Sequence, residues 1–340
     1  MHNTVIGVDL ATKAIQVCVY INKKVRSNIE LTPQQFTEFL VQQSPSLIVF
    51  ESCSGSNYWV QFCRSVGHEA KLISTRLVMA VRQNQKTDKN DALAIVQASL
   101  LPDIHFVSSK TTHQQQAQSI LRLREQCIKQ KTALKNQLGG LLREFNITVG
   151  RGECKLICAI ESALEDAENG LHVTFRSMLH QSLILYQQIC LALESYNHAL
   201  EEWVNNTPDC KKLMKIEGIG FLNAINLYIK IAEQDYSEFK QGRDVAACIG
   251  VTPVQHSSGG KVKIGSIGKR KNTGIRSLLI TGAMAVIQQL EKREPRTQKE
   301  NWLKALMVRR GKKCAAVALA NKNVRTAFSM LKNGTEYRSI

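Results

Sequence analysis

Residues 4–31 read TVIGVDLATKAIQVCVYINKKVRSNIEL, and this stretch decides the fold class. Val5-Ile6-Gly7-Val8-Asp9 is a short apolar run ending in an acid, Ile15-Gln16-Val17-Cys18-Val19-Tyr20 is a second run, and Val25 to Leu31 reads as a third. Short runs rich in β-branched residues, separated by a few polar ones, form strands joined by hairpins. A helix over Pro33–Gln42 follows, its proline at the first helical position, where a missing N–H costs nothing. Ser46-Leu47-Ile48-Val49-Phe50-Glu51 is then a continuous apolar strand that again ends in an acid. A helix from Asn57 to Val66, a strand over Ala70–Ile73 and a helix from Asp88 to Leu100 complete the pattern. Three strands and then alternating strands and helices predict an α/β domain, a mixed sheet flanked by helices.

Residues 103–207 contain no proline, and helix formers dominate. Ile120, Cys127, Leu134 and Leu141 fall seven apart, with Leu138 and Phe145 at intermediate positions; Leu179, Tyr186, Leu193 and Leu200 repeat the spacing. The spacing predicts two long antiparallel helices forming a coiled-coil hairpin or a dimer seam, with Arg124 and Lys131 as polar seam residues and Gly139-Gly140 as an interruption. From Pro208 onward the chain is mainly helical, except for a Gly/Ser/Lys-rich stretch, Ser257 to Gly274, that cannot be a packed helix. Three regions are therefore expected: 1–105, 106–205 and 206–340.

With 44% hydrophobic residues among 340, the chain can build cores and is not disordered. Its net charge of +17 is unevenly placed. Residues 259–340 hold 19 Lys and Arg against 4 Asp and Glu, a net of +15. A basic lobe on a near-neutral body argues for a polyanionic partner and against a simple small-metabolite enzyme. No run of about 18 apolar residues and no secretory signal pattern occurs, which points to nucleic acid rather than membrane. Ten cysteines lie scattered in apolar segments without a CxxC pair, as expected of reduced, buried thiols in a cytoplasmic protein.

The first candidate site is acidic. Asp9 and Glu51 close two apolar strands, and Asp88 and Asp91 stand three apart at a helix start, hence on one face. A charge on a buried strand is costly unless it projects from the strand's end into a cleft or meets a cation. Four such carboxylates form the kind of cluster that binds paired Mg²⁺ ions, or Mn²⁺, for in-line attack at phosphate. The second candidate is Gly250-Val251-Thr252-Pro253-Val254-Gln255-His256-Ser257-Ser258-Gly259-Gly260-Lys261, where a serine before two glycines has little steric cover. The glycine amides with Lys261, Lys263 and Lys269 could hold a phosphate, or the stretch is a solvated basic linker. The third, Ile216-Glu217-Gly218-Ile219-Gly220 between two short apolar helices, resembles a helix-hairpin-helix whose turn amides, at Gly218 and Gly220, bind phosphate; an ordinary helix–helix turn is the alternative. Lys269-Arg270-Lys271, Arg276 and the cluster Arg309-Arg310-Gly311-Lys312-Lys313 fit phosphate neutralisation.

Gly7-Val8-Asp9-Leu10-Ala11 with Lys13, Glu51-Ser52-Cys53-Ser54-Gly55, and Lys86-Thr87-Asp88-Lys89-Asn90-Asp91-Ala92 resemble the DEDD transposases of bacterial insertion sequences. This is the IS one-ten family (IS eleven-eleven group), which includes the Piv invertases, and the resemblance covers most of the chain. It implies an RNase H-like, RuvC-type first domain in which Asp9, Glu51, Asp88 and Asp91 bind metal. It also implies a C-terminal transposase domain in which Ser258, directly before Gly259, is the nucleophile, with Ser257 as the neighbouring fallback. A serine alcohol attacks poorly without activation. The resemblance places it near the metal-bound acids across subunits, so that it forms a phosphoserine link to DNA.

The implied function is RNA-guided DNA strand exchange. A structured noncoding RNA from the element's flank would pair with donor and target duplexes, leaving the protein to read shape and phosphates. A homodimer assembling to a tetramer, and a bacterial, nucleoid-associated location in the cytoplasm, follow from the same resemblance. Three other readings keep the same chain. A Piv-like site-specific invertase would use the same residues on inverted sites. A junction-resolving nuclease would use the acids alone with water as nucleophile. A catalytically dead nucleic-acid-binding protein would need neither the acids nor the serine.

Overall fold

The structure, a computed structural model, describes residues 4–232, 239–268 and 273–338. Its chain forms two compact units, the first from the described part of residues 1–112 and 233–240, the second from 113–232 and 241–340.

In the first unit β1 (Thr4–Leu10), β2 (Ile15–Ile21) and β3 (Lys24–Leu31) form an antiparallel meander. They are followed by α1 (Pro33–Gln42), β4 (Leu47–Glu51), α2 (Ser56–Ser65), β5 (Glu69–Ile73), α3 (Thr75–Val81) and α4 (Asp88–Ser99). The sheet order is β3-β2-β1-β4-β5, with β1, β4 and β5 mutually parallel. This mixed α/β sheet agrees with the predicted class and is consistent with an RNase H-like N-terminal domain. Strand alternation sends Ile6, Val8, Ile48 and Phe50 to one face, where Phe36 and Leu40 of α1 and Val60 and Cys63 of α2 cover them. Val5 and Val49 go to the other face, beneath Ala92, Ile95 and Val96 of α4. The caps set the helix starts: Thr32 closes a capping box on α1 with Gln35, and the Thr87 hydroxyl accepts from the Asn90 amide at α4. Helix α3 was absent from the sequence reading, being only seven residues long.

The second unit opens with α5 (Thr112–Glu144), α6 (Glu153–Glu165) and α7 (Val173–Asn206). Arg124 Nε donates to Asn197 Oδ1 at 2.6 Å, while Leu138 and Leu142 pack in one cluster with Leu179, Leu183 and Tyr186, so α5 and α7 run antiparallel as expected. Two corrections follow. Helix α6 is a third member, supplying Leu156, Ile160 and Ala163 to that cluster. The buried stripe of α5 keeps the expected Leu138 and has Ala117 in phase with it, but its other members, Leu121 and Leu142, lie one position after the expected Ile120 and Leu141, and Leu141 and Phe145 are exposed. Arg124 and Lys131 lie on the inward stripe because each finds a partner there; Lys131 meets Glu153 at 2.5 Å.

The remaining elements are α8 (Pro208–Met214), α9 (Phe221–Ile231), α10 (Gly242–Ile249), β6 (Pro253–Ser258), β7 (Lys261–Ile267), α11 (Thr273–Leu290), α12 (Gln298–Arg310) and α13 (Lys312–Asn333). Helix α13 is the hub. Its small residues Ala315, Ala316, Ala320 and Ala327 are buried and let α10, α11 and α12 approach closely. Most of the Ser257–Gly274 stretch is not a loop: β6 and β7 form an antiparallel hairpin, and α11 begins at Thr273. The ten cysteines are free thiols, but Cys53, Cys154, Cys158 and Cys314 are exposed, against the expectation of burial. No helix among the described residues is long and apolar enough to cross a membrane.

Candidate active site

Asp9 and Glu51 are brought together by strand register. Val8 pairs with Phe50 across the parallel β1–β4 ladder, so the next residues, Asp9 and Glu51, are neighbours on adjacent strands about 4.8 Å apart. Both share the parity of Val5 and Val49, the face covered by α4. Gly7 sets how closely α4 lies on that face: a Cβ there would stand 2.5 Å from the Ala92 carbonyl oxygen and 2.6 Å from a Val96 methyl. The first turn of α4, with Asp88 exposed and Asp91 buried, thereby meets the strand ends. Gln16 donates to Asn28 at 2.7 Å and Asn28 donates to the Lys89 carbonyl at 2.9 Å, tying β2 and β3 to the same turn.

The acids act on one another electrostatically. Burial, then Asp91, Glu51 and Asp88, push the Asp9 carboxyl up to a pKa of about 6, against a smaller downward pull from Lys86. The Cys53 side chain reaches the surface, yet partial desolvation together with Glu51 and Asp9 holds its thiol pKa up, so it stays protonated beside them. Asp91 is paired with Arg82, the C-cap residue of α3, at 2.8 Å, and both side chains are largely buried. Among the described residues no three His, Cys, Asp or Glu side chains stand close enough to hold an ion as they are. The chemistry of the donors nevertheless fits a hard divalent cation. The four groups offer carboxylate oxygens only, and the Asp9 carboxyl, raised first by burial and then by the charges of Asp91, Glu51 and Asp88, is a group whose ionised form such a cation would favour.

Ser258 is the last residue of β6, followed by Gly259 (φ 55°) and Gly260 (φ 76°), the positive angles that a two-residue turn of this hairpin needs. Directly paired residues share a face, so Ser258 lies with Lys261, and His256 with Lys263, on one side. Ser257 lies with Val262 and Gln255 with Ile264 on the other, and Gln255 Nε2 donates to the Ser257 hydroxyl at 2.9 Å. Both serines are exposed, but only Ser258 stands among cations. Arg276 donates to the Gly268 carbonyl, fastening the end of β7 to α11. Lys269, Arg270 and Lys271 lie outside the described residues. The four acids belong to the first unit and Ser258 to the second.

At Gly218 the backbone is left-handed (φ 83°) and a Cβ would stand 2.9 Å from the Gly282 carbonyl oxygen, so this glycine fits the turn against α11. Glu217 beside it accepts from Lys299 at 2.7 Å, and its carbonyl accepts from Asn323 at 2.8 Å. Gly220, by contrast, is the exposed N-cap of α9 with open space where a side chain would be.

Sequence reasoning missed Arg82 and Lys86, which lie in the run before the acid pair and act on Asp91 and Asp9 respectively. A cation shortly before two acids was the available signal. It missed the part of Gly7 as well, although a lone glycine inside an apolar strand marks close backbone approach.

Two family descriptions match the chain: "Transposase IS116/IS110/IS902 family" over residues 210–299, and a DEDD "Transposase" over residues 6–147. It is 32% identical over 338 residues to the Coxiella burnetii transposase for insertion sequence element IS1111A, covering 98% of this chain and 91% of that one. A Pseudomonas aeruginosa "probable family 20 transposase" is 32% identical over 99% of both chains. The Yersinia enterocolitica transposase for IS1328 is 30% identical over 98% of both.

Proposed function

The chain belongs to the insertion-sequence transposases of the IS116/IS110/IS902 family, DNA-cleaving and strand-transferring enzymes, and from that premise we propose a metal-dependent recombinase that works through a phosphoserine link. The observation that carries the proposal is the convergence of Asp9, Glu51, Asp88 and Asp91 at the ends of β1 and β4 and the start of α4. Divalent cations, Mg²⁺ or Mn²⁺, held by these carboxylates would supply charge stabilisation at a scissile phosphate. Asp9 and Glu51 would hold their ligand from rigid strand ends, and Asp88 and Asp91 from one helix turn.

The nucleophile is Ser258. Its oxygen attacks phosphorus, the bond from phosphorus to one ribose oxygen breaks, and the hydroxyl proton leaves with the departing oxygen or to water. A phosphodiester to serine replaces the phosphodiester cut, so the bond remains available for strand exchange. Lys261, Lys263 and His256 on the same hairpin face favour an anionic phosphate beside Ser258 over Ser257. Gly220, at the open start of α9, with Gly218 shaping the turn before it, and Lys269, Arg270, Lys271 and Arg276 would contact backbone phosphates or support those contacts in a helix-hairpin-helix arrangement. The chain divides by role into an acid-bearing region (1–105), a helical spacer (106–205) and a serine-bearing region (206–340). Assembly of homodimers into a tetramer on donor and target DNA, guided by a structured noncoding RNA, completes the reading, with bacterial nucleoid DNA as its place of work.

The test supplies donor and target duplexes, the element's flanking RNA and Mg²⁺, then looks for a DNA–protein adduct on denaturing gels and by mass spectrometry. An adduct present in wild type and Ser257→Ala, and lost in Ser258→Ala and Asp88→Ala, is the expected result. Free nicks without adduct, unaffected by Ser258→Ala, would overturn the serine and leave a nuclease that uses water.

A further inference from the structure

Away from both the acids and the serine hairpin, the end of α5 and the segment leading into α6 enclose an open cleft of about 480 Å³. Lys135 and Arg143 on α5 and Arg151 on the connecting segment line it, together with Gly139, Gly140 and Gly152. No acidic side chain is among its lining residues, and none of the three cations makes an ion pair among the described residues. Three like charges facing one concavity repel one another and would be relieved by an anion. Glu153, at the start of α6, is near enough to Lys135 to feel its charge, but its carboxylate is hydrogen-bonded by Lys131 and by the Cys190 thiol at 2.8 Å, so it offsets only part of the three charges.

A second observation is independent of charge. Gly139 and Gly140 sit side by side within a 33-residue helix, where glycine is a poorer helix former than alanine. Packing does not demand them: among the described residues, the helix's own neighbouring backbone aside, nothing comes within 4 Å of where either Cβ would stand. Two bare helical residues that serve no internal contact leave the floor of the cleft open to close approach by something else. Gly152, with φ 118° and no side chain of its own, precedes the first turn of α6 at the cleft's edge.

We propose that this cleft binds consecutive phosphate groups, those of a nucleic-acid backbone or of a free polyphosphate. Lys135, Arg143 and Arg151 contact the phosphate oxygens, and the paired glycines let the ligand lie directly on α5. The site needs neither Ser258 nor the carboxylates and stands apart from the strand-exchange chemistry proposed above.

The experiment measures binding of the full-length protein to non-specific duplex DNA, to single-stranded RNA and to inorganic tripolyphosphate across a salt series. Wild type is compared with the triple variant Lys135→Gln/Arg143→Gln/Arg151→Gln and with Gly139→Ala/Gly140→Ala. For a backbone site, the triple variant weakens nucleic-acid binding by about tenfold or more at 0.15 M salt and shallows the log K against log salt slope by about 2–3. Gly139→Ala/Gly140→Ala then loses affinity while its melting temperature holds or rises, the opposite of what a damaged helix would give. A loss confined to tripolyphosphate, with nucleic-acid binding unchanged, identifies a free polyphosphate as the ligand. Unchanged affinity for all three probes in both variants overturns the proposal.

Discussion

Asp9 carries the sharpest consequence at the scale of one residue. Its folded-state pKa of about 6 lies above the ordinary 3.8, so the metal-free folded chain binds this proton more tightly than the unfolded chain does. Stability from this group is therefore greatest in acid and falls as pH rises from 3.8 to about 6. Because Asp9 is partly open to solvent, we expect a loss on the order of 1 kcal/mol. Denaturant titrations with EDTA at pH 4.5 and 7.5 measure it, and Asp9→Asn should flatten the difference between them. Arg82 supplies the complementary case. Removing its charge leaves the buried Asp91 carboxylate without its cation, at a cost of about 1–3 kcal/mol. Arg82→Gln should lower the melting temperature in EDTA, and saturating Mg²⁺ should raise it by more than in wild type. An equal Mg²⁺ response in the two proteins would separate Arg82 from the cation site.

At the scale of elements, the position of the acids depends on how α4 lies on β1. The contact between Gly7 and the α4 backbone admits no methyl group, so Gly7→Ala must push the helix outward or distort the central strand. The expected cost is about 1–3 kcal/mol. Mg²⁺-dependent DNA cleavage, assayed well below the melting temperature, should fall further than the lost stability explains, since Asp88 and Asp91 move with the helix. This sheet was legible in the sequence because its strands are apolar, short and bounded by turns, and because its acids fall where apolar runs stop. The seam of α5 was legible only in part. Its apolar residues recur at seven, yet the inward stripe is shared with Arg124 and Lys131, whose partners Asn197 and Glu153 lie 73 and 22 residues away in the chain. Periodicity counts apolar residues and cannot see a polar one made welcome by a distant neighbour. The hairpin is not legible as strands because nothing on it is buried deeply enough to leave an apolar pattern, and its order rests on the Gly259-Gly260 turn and cross-strand pairing.

For the whole molecule, the recombinase proposed here divides its chemistry between two units of one chain, the acids in the first and Ser258 in the second. Charge is divided as well, with +15 of the net +17 carried by residues 259–340. A protein built this way attracts a polyanion with the region that holds its serine, while the acids by themselves repel a phosphate and require a cation before they can approach one. In that proposal cleavage waits for two conditions, metal at the acids and nucleic acid against the basic region. In the recombinase proposed here, the two groups can also come from different chains. Ser258→Ala keeps the acids and Asp88→Ala keeps the serine, so neither protein should form an adduct alone. Mixed in equal amounts and allowed to exchange partners, they should recover up to about a quarter of the wild-type adduct, because half the dimers are mixed and each mixed dimer has one intact serine facing one intact acid set. The recovered adduct should be carried entirely by the Asp88→Ala chain, which a size tag on one partner would reveal. No recovery after verified exchange would mean that each chain supplies both groups to its own site.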